Sequence, residues 1–394
     1  MVKLKSSEIV KGFSIVLILL SNSINYWIVF GDELKDIYGF IITILDIIGP
    51  LLYIFVGSLS ISFTLNKKMG SYPEKIYRNK ILKQALFLIL LGCLYNIILN
   101  PNLGFPINLW GWNILVFLGF SQIICYLAYK LVRWARLVIG LSVIFLTPGF
   151  RELLFISKDT NLIMEAIHFM IVSPFPNYSL LPFASFSFFS AVFGEVIYES
   201  IILNSDRANL HSTQSILKYG LVLLACGLLL PFIDIGLVVG ADNFDPSKYP
   251  FLEAVPILKA HNILYIQGLP LFLLRGTPSN LFLSMGLALL IFTIFYYYSD
   301  ILHKNGKLCR ILNIYGRHSL TIFFGQFLFI LVLYQKVTLL LFFPYLILYI
   351  AILGVLFFLW QKNGKSILSL DWIIDKIGGK TKDYIHQDHY PSRS

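Results

Sequence analysis

The sequence predicts an all-α, polytopic integral membrane bundle of about ten transmembrane helices, and three observations support this fold class. Hydrophobic residues make up 57% of the 394-residue chain, charged residues make up 13%, and the mean hydropathy is +0.76. Soluble domains carry about 25% charged residues, so the composition excludes a soluble fold. The uncharged run 84–129 lacks the alternation of polar and apolar residues that is typical of a transmembrane β-barrel.

Uncharged runs long enough to cross roughly 30 Å of hydrocarbon mark the spans. The run 84–129 is divided by the turn 100–108, which contains two prolines and a glycine. The run 137–150 is short, and we count it as a span because Arg133 and Arg136 beside it can extend to the lipid headgroups. The predicted spans are 13–30, 37–66, 85–99, 112–130, 137–150, 181–203, 215–240, 278–299, 319–335 and 337–361.

These spans define one transmembrane domain, 1–361, followed by a polar cytoplasmic tail, 362–394. The first span has no small-residue cleavage site behind a short apolar core, so we interpret it as a retained helix. The two long connections, 150–180 and 241–277, are predicted loops. The second of them contains a short apolar piece, 263–274, which we expect to be re-entrant or interfacial.

Lysine and arginine residues are concentrated in alternate connections, and this distribution sets the orientation. The basic connections are cytoplasmic if the N-terminus is inside, so we predict a multi-pass plasma-membrane protein with both termini cytoplasmic. The net charge of +10 then follows from topology and from attraction to anionic lipids. Membrane lipids are therefore expected partners, and a nucleic-acid partner is not expected.

Ionisable side chains inside spans are costly and usually face a cavity or a partner. Asp46 lies inside the second span, four residues before Pro50, which should loosen the nearby backbone. Glu195 and Glu199 share one helix face, and we expect them to pair with Arg207 or Lys218. The amides of Asn22, Asn25 and Gln326 are neutral, and the two asparagines are equally compatible with hydrogen bonding between helices.

Motifs of soluble enzymes are absent from the sequence, which has no GxxxxGK[ST], HExxH, GxSxG or GxGxxG pattern. The seven histidines show no metal-ligand spacing, so no metal site is predicted. The four cysteines lie in or beside apolar segments without CxxC pairing, which favours buried thiols over a disulfide or metal role.

The first span opens with EIVKGFSIVLILLSN, residues 8–22. This stretch resembles the D-x-x-R-G-x-a-x-x-l-M signature of the transmembrane acyltransferases related to heparan-α-glucosaminide N-acetyltransferase. Glu8, Lys11 and Gly12 fall on the Asp, Arg and Gly of that signature, and Asn22 falls where a eukaryotic member also has Asn.

Two later segments extend the resemblance. LDIIGPLLYIFVGSLSISF, residues 45–63, resembles the family's A-D-L-x-F-P-x-F-x-F-x-x-G-x-S segment and keeps Asp46 and Pro50. GRHSLTIFFGQF, residues 316–327, resembles G-x-N-S-l-x-x-Y-x-G-H and keeps Ser319. The ordered set of similar segments covers about residues 7–330.

The chain departs from the family at three points. The loop 31–40 lacks the family's catalytic histidine. His318 and Gln326 stand at the Asn and His of the late motif, and Glu8/Lys11 replace the opening Asp/Arg pair. An arginine-to-lysine change matters wherever a bidentate contact is needed, so the sequence leaves open whether the chain is an active enzyme.

The resemblance implies an acyltransferase that uses acyl-CoA (acetyl-CoA) as co-substrate at the cytoplasmic side, with an amino sugar or glycan as acceptor from the opposite face. In place of the missing histidine we expect Asp46 to be the general base, with Asp36 or Asp32 as second choice, and Asn22 to contact the oxyanion or acceptor. A basic mouth would attract the CoA phosphates. The residues assigned to the donor site are Glu8, Lys11, Gly12, Arg78, Lys80, His318, Ser319 and Gln326.

Two alternatives belong to other functional classes. The buried polar residues and the Pro-containing helices also fit a transporter or flippase for a lipid-linked or anionic solute, although no inverted repeat is visible. A catalytically silent membrane protein fits the lost histidine. The oligomeric state is open, with a homodimer as one option.

Overall fold

The structure is a computed structural model that describes residues 4–28, 35–69, 73–99, 104–172, 179–203, 205–232, 271–273, 275–364, 367 and 369–377. The described residues form an all-α bundle, which confirms the predicted fold class. Its helices are α1 (Lys5–Trp27), α2 (Lys35–Met69), α3 (Glu74–Leu99), α4 (Ile114–Tyr129), α5 (Arg133–Ser157), α6 (Leu162–Ile171), α7 (Leu180–Leu203), α8 (Asp206–Leu229), α9 (Pro278–Tyr296), α10 (Lys307–Arg317), α11 (Ser319–Leu333), α12 (Leu339–Gly364) and α13 (Leu370–Ile377).

Eight helices in the described part of the chain are long and apolar enough to cross a membrane: α1, α2, α3, α5, α7, α8, α9 and α12. The chain is therefore a multi-pass membrane protein. Helices α4 and α11 fall on two further predicted spans but are 16 and 15 residues long. The total of about ten spans thus stays a prediction.

Helices α1 and α2 are antiparallel and meet along a row of serines spaced seven residues apart on α1. Ser7 shares a hydrogen bond with Ser60, Ser14 donates to the carbonyl of Gly49 at 2.5 Å, and Ser21 donates to Asp46. A seven-residue period keeps these hydroxyls on one side of the helix. We name the two ends of the bundle after α1, as the Lys5 end and the Trp27 end.

Helix α10 crosses α1 with direct contact between the two backbones. A Cβ added at Gly12 would overlap the carbonyl of Leu312, and a Cβ added at Gly316 would overlap the carbonyl of Glu8. Only glycine fits at either position without displacing a helix. This crossing places Glu8 and the start of α11 side by side.

Both ends of α1 are held by much later parts of the chain. At the Lys5 end the backbone amides of Lys5 and Ser6 donate to the two oxygens of Asp300 at 2.9 and 2.8 Å, which satisfies two of the unpaired amides of the helix N-terminus. At the Trp27 end, Val337 donates to the carbonyl of Trp27 at 3.0 Å. Residues from the last third of the chain therefore contact both ends of the first helix.

Some connections differ from the predictions. Glu195 and Glu199 were expected to pair with Arg207 or Lys218, and that expectation is wrong: Arg133 contacts both carboxylates at 3.0 and 2.7 Å, and Arg136 contacts Glu195 at 2.5 Å. The pairing changes because the start of α5 packs beside the end of α7, a contact that local sequence does not reveal.

Other segments predicted as loops or tail contain helices or lie partly outside the described residues. The predicted loop 150–180 holds the end of α5 and all of α6. The segment 362–394, predicted as a tail, contains α13, which packs on the bundle through a hydrogen bond from Gln84 to the carbonyl of Ile374 at 2.9 Å. The apolar piece 263–274 lies mostly outside the described residues.

Candidate functional site

A cavity of about 390 Å³ opens at the Lys5 end of the bundle. Its walls come from α1, α2, α3, α4, the junction of α10 with α11, and α13. This volume lies within the range of small-ligand pockets in proteins, roughly 300–1,000 Å³. The polar and charged lining residues are Glu8, Lys11, Tyr53, Ser60, Thr64, Lys68, Tyr77, Lys80, Gln84, Gln122, Arg317, Ser319 and Asp371.

The charges around this cavity favour an anion. Four cationic side chains line it, against the carboxylates of Glu8 and Asp371, which leaves an excess of two positive charges. Charges of one sign around a cavity with low-dielectric walls raise the local concentration of the opposite charge. The four cations are Lys11, Lys68, Lys80 and Arg317.

Hydroxyl groups line the inner part of the cavity. The hydroxyls of Tyr53 and Ser319 share a hydrogen bond of 2.9 Å that joins α2 to α11. Ser60 reaches across to Ser7. Each of these oxygens keeps further capacity to donate or accept, so the inner wall can orient a polar ligand.

Helix α13 closes one side of the cavity through Asp371. The Asp371 carboxylate accepts from the hydroxyl of Thr321 at 3.0 Å and from its backbone amide at 3.3 Å. Leu370 in turn donates to the Thr321 hydroxyl at 3.0 Å. Burial raises the pKa of Asp371 to about 6, against the opposing effects of these hydrogen bonds and of Lys11.

A second polar cluster lies at the Trp27 end. The guanidinium of Arg275 contacts the Asp46 carboxylate at 3.1 Å, with the two side chains 12% and 21% exposed, and Ser21 donates to the other oxygen of Asp46. Close by on α1, the amide of Asn22 donates to Gln326 at 3.2 Å. These contacts join α1, α2, α11 and the segment before α9.

The cavity and the Asp46 cluster are separate in this structure. Tyr53, the cavity residue nearest to Asp46 on α2, follows it by seven residues, about 10 Å along the helix axis. Between them α1 and α2 are in close contact, where Ser14 donates to Gly49 and where a Cβ at Gly49 would lie 3.1 Å from Leu17. No gap for a ligand separates the helices there.

The residues assigned to the donor site from sequence are therefore divided. The cavity brings together Glu8, Lys11, Lys80 and Ser319. Gly12 instead packs against α10, and Arg78 is exposed on α3 outside the cavity. His318 is buried with its ring stacked on Phe357 and Trp360, at centroid distances of 5.0 and 6.1 Å, and Gln326 belongs to the Asp46 cluster.

The residues assigned to catalysis lie at the other end. Asp46 and Asn22 both belong to the cluster at the Trp27 end. Asp36 lies in the first turn of α2, but its side chain falls outside the described residues, and so does Asp32. Among the residues that are described, no group of three His, Cys, Asp or Glu side chains could hold a metal ion.

Sequence reasoning missed several cavity residues. Tyr53 and Gln122 lie within apolar runs and Gln84 begins one, and only the amides of Asn22, Asn25 and Gln326 were considered as buried neutral groups. Asp371 was placed in the tail, although Asp371 and Asp375, four residues apart in LDWIIDKI, could have indicated one polar face of an amphipathic helix. Arg275 lies in the predicted loop 241–277 and was given no role in a site.

The fold and the cavity define a class: multi-pass helical membrane proteins with a basic cavity at one end. Comparison with known proteins adds no narrower identity, since the chain matches no family model, no curated protein and no solved structure. The acyltransferase activity that the motifs imply therefore stays a prediction.

Proposed function

We propose that the chain is a membrane-embedded acyltransferase that binds acyl-CoA, acetyl-CoA included, in the cavity at the Lys5 end. The acceptor, an amino sugar or glycan, would bind at the Trp27 end near Asp46. The observation that carries the proposal is the excess of cationic over anionic side chains around a cavity of small-ligand size. The motif resemblance supplies the reaction class.

The positions of the cations suit a donor with several phosphates. Lys68 lies near the end of α2 and Lys80 near the beginning of α3, and Arg317 is exposed at the end of α10. Lysine binds phosphate as a point charge, and arginine offers a planar fork of donors. The phosphates of CoA would therefore lie at the mouth, with the thioester arm directed inward along the hydroxyl-lined wall.

The chemistry is acyl transfer from a thioester. The acceptor nitrogen or oxygen attacks the carbonyl carbon, the new C–N or C–O bond forms, and the C–S bond breaks. Asp46 would accept the proton that the acceptor loses and return it to the departing thiolate, which leaves as CoA-SH. Asn22 would donate to the carbonyl oxygen as it gains charge.

This reaction requires the thioester and the acceptor to meet. Because Ser14 and Gly49 are in contact between the two sites, α1 and α2 must separate there during turnover. The orientation that we propose, with both termini cytoplasmic in the plasma membrane, rests on the distribution of lysine and arginine. It places the cavity on the side that holds cellular acyl-CoA.

Thermal unfolding of detergent-purified protein tests the donor site. We expect a saturable rise in Tm with CoA and with acetyl-CoA, because a ligand that binds only the native state stabilises it. Lys68→Gln and Lys80→Gln should reduce the rise. Lys304→Gln is the matched control, because it removes an exposed charge at the same end outside the cavity. No rise at millimolar CoA in folded protein would overturn the proposal.

A transporter of anionic solutes is the second candidate, and one observation favours it. The cavity opens at one end, while the charged pair of Asp46 and Arg275 lies at the other end beyond a closed middle. Alternating access uses such an arrangement. Uptake of an anionic solute by sealed vesicles, without acyl-CoA turnover, would support transport over acyl transfer.

A further inference from the structure

The cavity lining changes from charged to apolar in the same direction on two helices. On α2 the lining residues run from Lys68 through Thr64 to Gly57, and on α3 from Lys80 through Gln84 to Leu88. Lys68 and Gly57 are eleven residues apart, which is about 16 Å of helix. The outer end of the cavity therefore presents charge, and the inner end presents hydrocarbon at Gly57, Leu88 and Leu118 beside the hydroxyl pair of Tyr53 and Ser319.

Three residues form the apolar inner end of the lining, and we call them the acyl patch: Gly57, Leu88 and Leu118. Leu88 and Leu118 are only 3% and 6% exposed. Gly57 contributes no side chain, and a Cβ built there would lie 3.0 Å from the Cδ2 of Leu118. The space beside Gly57 is thus limited by one leucine, so a single methyl group is enough to change it.

A ligand with an anionic head and a short apolar chain matches this polarity. On the basis of the proposed function, we propose that the acyl patch receives the acyl chain of acyl-CoA and that Gly57 and Leu118 set the longest chain accepted. The anionic part of the donor stays with the cations at the mouth. A cavity of about 390 Å³ that also holds part of the CoA arm leaves room only for a short chain.

Binding of a chain-length series tests this inference. The probes are CoA and its acetyl, butyryl, hexanoyl and octanoyl thioesters, titrated calorimetrically into the full-length protein in detergent. In the unmodified protein we expect affinity to rise about fourfold for each buried methylene and then to fall once the chain exceeds the patch. Equal affinity for CoA and for every thioester would overturn the inference and leave the donor site standing.

Two variants should change the longest accepted acyl chain in opposite directions. Gly57→Ala should reduce the affinity for butyryl-CoA about tenfold more than the affinity for CoA, because the new methyl group occupies the space beside Leu118. Leu118→Ala should shift the preference to longer chains, and it keeps the test decisive if Gly57→Ala does not fold. Gly149→Ala is the matched control, since a Cβ at Gly149 meets nothing within 4 Å.

Different results would refute the acyl patch and the donor site. If Gly57→Ala and Leu118→Ala bind the same series as the unmodified protein, the acyl patch is refuted while CoA binding remains. If CoA itself does not bind, the proposed function and the inference both fail.

Discussion

Asp46 lies in α2 with a guanidinium on one carboxylate oxygen and a hydroxyl on the other. Arg275 balances its charge, so the carboxylate is stable in a largely buried position. The same contacts make Asp46 a structural residue as well as a candidate base. Substitutions here must therefore separate stability from chemistry.

Asp46→Asn should reduce acyl transfer at least a hundredfold, which is the usual contribution of a general base. It should also destabilise the protein by about 1–3 kcal/mol, less than for a fully buried pair, because the ion pair with Arg275 is lost while both side chains keep some exposure. Transfer assays and thermal unfolding measure the two effects.

The double variant Asp46→Asn with Arg275→Gln separates the effect on acyl transfer from the effect on stability. It should recover stability without recovering transfer. Undiminished transfer by Asp46→Asn would remove Asp46 as the base.

Asp371 makes stability depend on pH. Its pKa is raised to about 6 in the folded protein, so the native state holds this proton more tightly than the unfolded chain does. The stabilisation is complete below the unfolded pKa of about 4 and is lost as pH rises through about 6. Asp371→Asn should thus match the unmodified protein near pH 4 and exceed it at pH 7.5 by on the order of 2 kcal/mol.

Unfolding temperatures measured across pH 4–8 check this expectation. Asp300→Asn is the comparison, since Asp300 caps α1 and its substitution should destabilise the protein at neutral pH. A pH profile that is the same for Asp371→Asn and the unmodified protein would contradict the assignment.

Among the helices, the crossing of α1 with α10 fixes the geometry of the cavity. Contact between the backbones at Gly12 and Gly316 brings Glu8 and Lys11 beside Arg317 and Ser319. The charged side chains of the cavity are therefore positioned by two glycines that carry no chemistry themselves.

Gly12→Ala should lower stability by about 1–3 kcal/mol and weaken CoA binding. The added Cβ would overlap the carbonyl of Leu312 and force α1 and α10 apart. Thermal unfolding with and without CoA measures both effects. Gly149→Ala, which meets nothing within 4 Å, should be neutral or slightly stabilising. Equal effects of the two substitutions would show that the crossing tolerates a side chain.

The long helices could be predicted from sequence, and their polar ends could not. The prediction 181–203 nearly coincides with Leu180–Leu203, whereas the helix predicted at 215–240 already begins at Asp206, and residues 233–240 lie outside the described part of the chain. Apolar runs mark only the part of a helix that crosses hydrocarbon. Backbone hydrogen bonding continues into water, so charged turns such as the start of α8 are helical as well.

The short helices and most of the site required tertiary contacts. Helices α10 and α13 are 11 and 8 residues long, too short to be stable alone, and they exist because the bundle packs against them. Lys11 and Lys80, which the resemblance assigned to a donor site, both line the cavity. The bond from Tyr53 to Ser319 joins residues 266 positions apart, and no spacing rule reveals such a pair.

For the molecule as a whole, the distribution of basic residues determines how the bundle should sit in a membrane. The Lys5 end carries the cations of the cavity and of the neighbouring connections. The Trp27 end carries few basic side chains in the described part of the chain. Basic residues at the Lys5 end include Lys5, Lys67, Lys68, Lys130, Arg133, Lys304, Lys307 and Arg310.

Cysteine labelling checks the orientation. In a background without the four native cysteines, we expect Leu162→Cys, exposed in α6 at the Trp27 end, to react with a membrane-impermeant maleimide in intact cells. Lys304→Cys, at the Lys5 end, should react only after permeabilisation. The reverse pattern would invert the topology and would place the cavity away from cellular acyl-CoA.

The contacts of α1 with the last third of the chain also have a consequence during synthesis. Asp300 pairs with amides that precede it by about 295 residues, an interval of roughly 15–60 s at ordinary translation rates of about 5–20 residues per second. Until α10 and α11 leave the ribosome, the Gly12 face and Asn22 of α1 have only early partners. Helices α1 and α2 must therefore stay together in the bilayer through their apolar packing and the serine hydrogen bonds while the ribosome completes the protein.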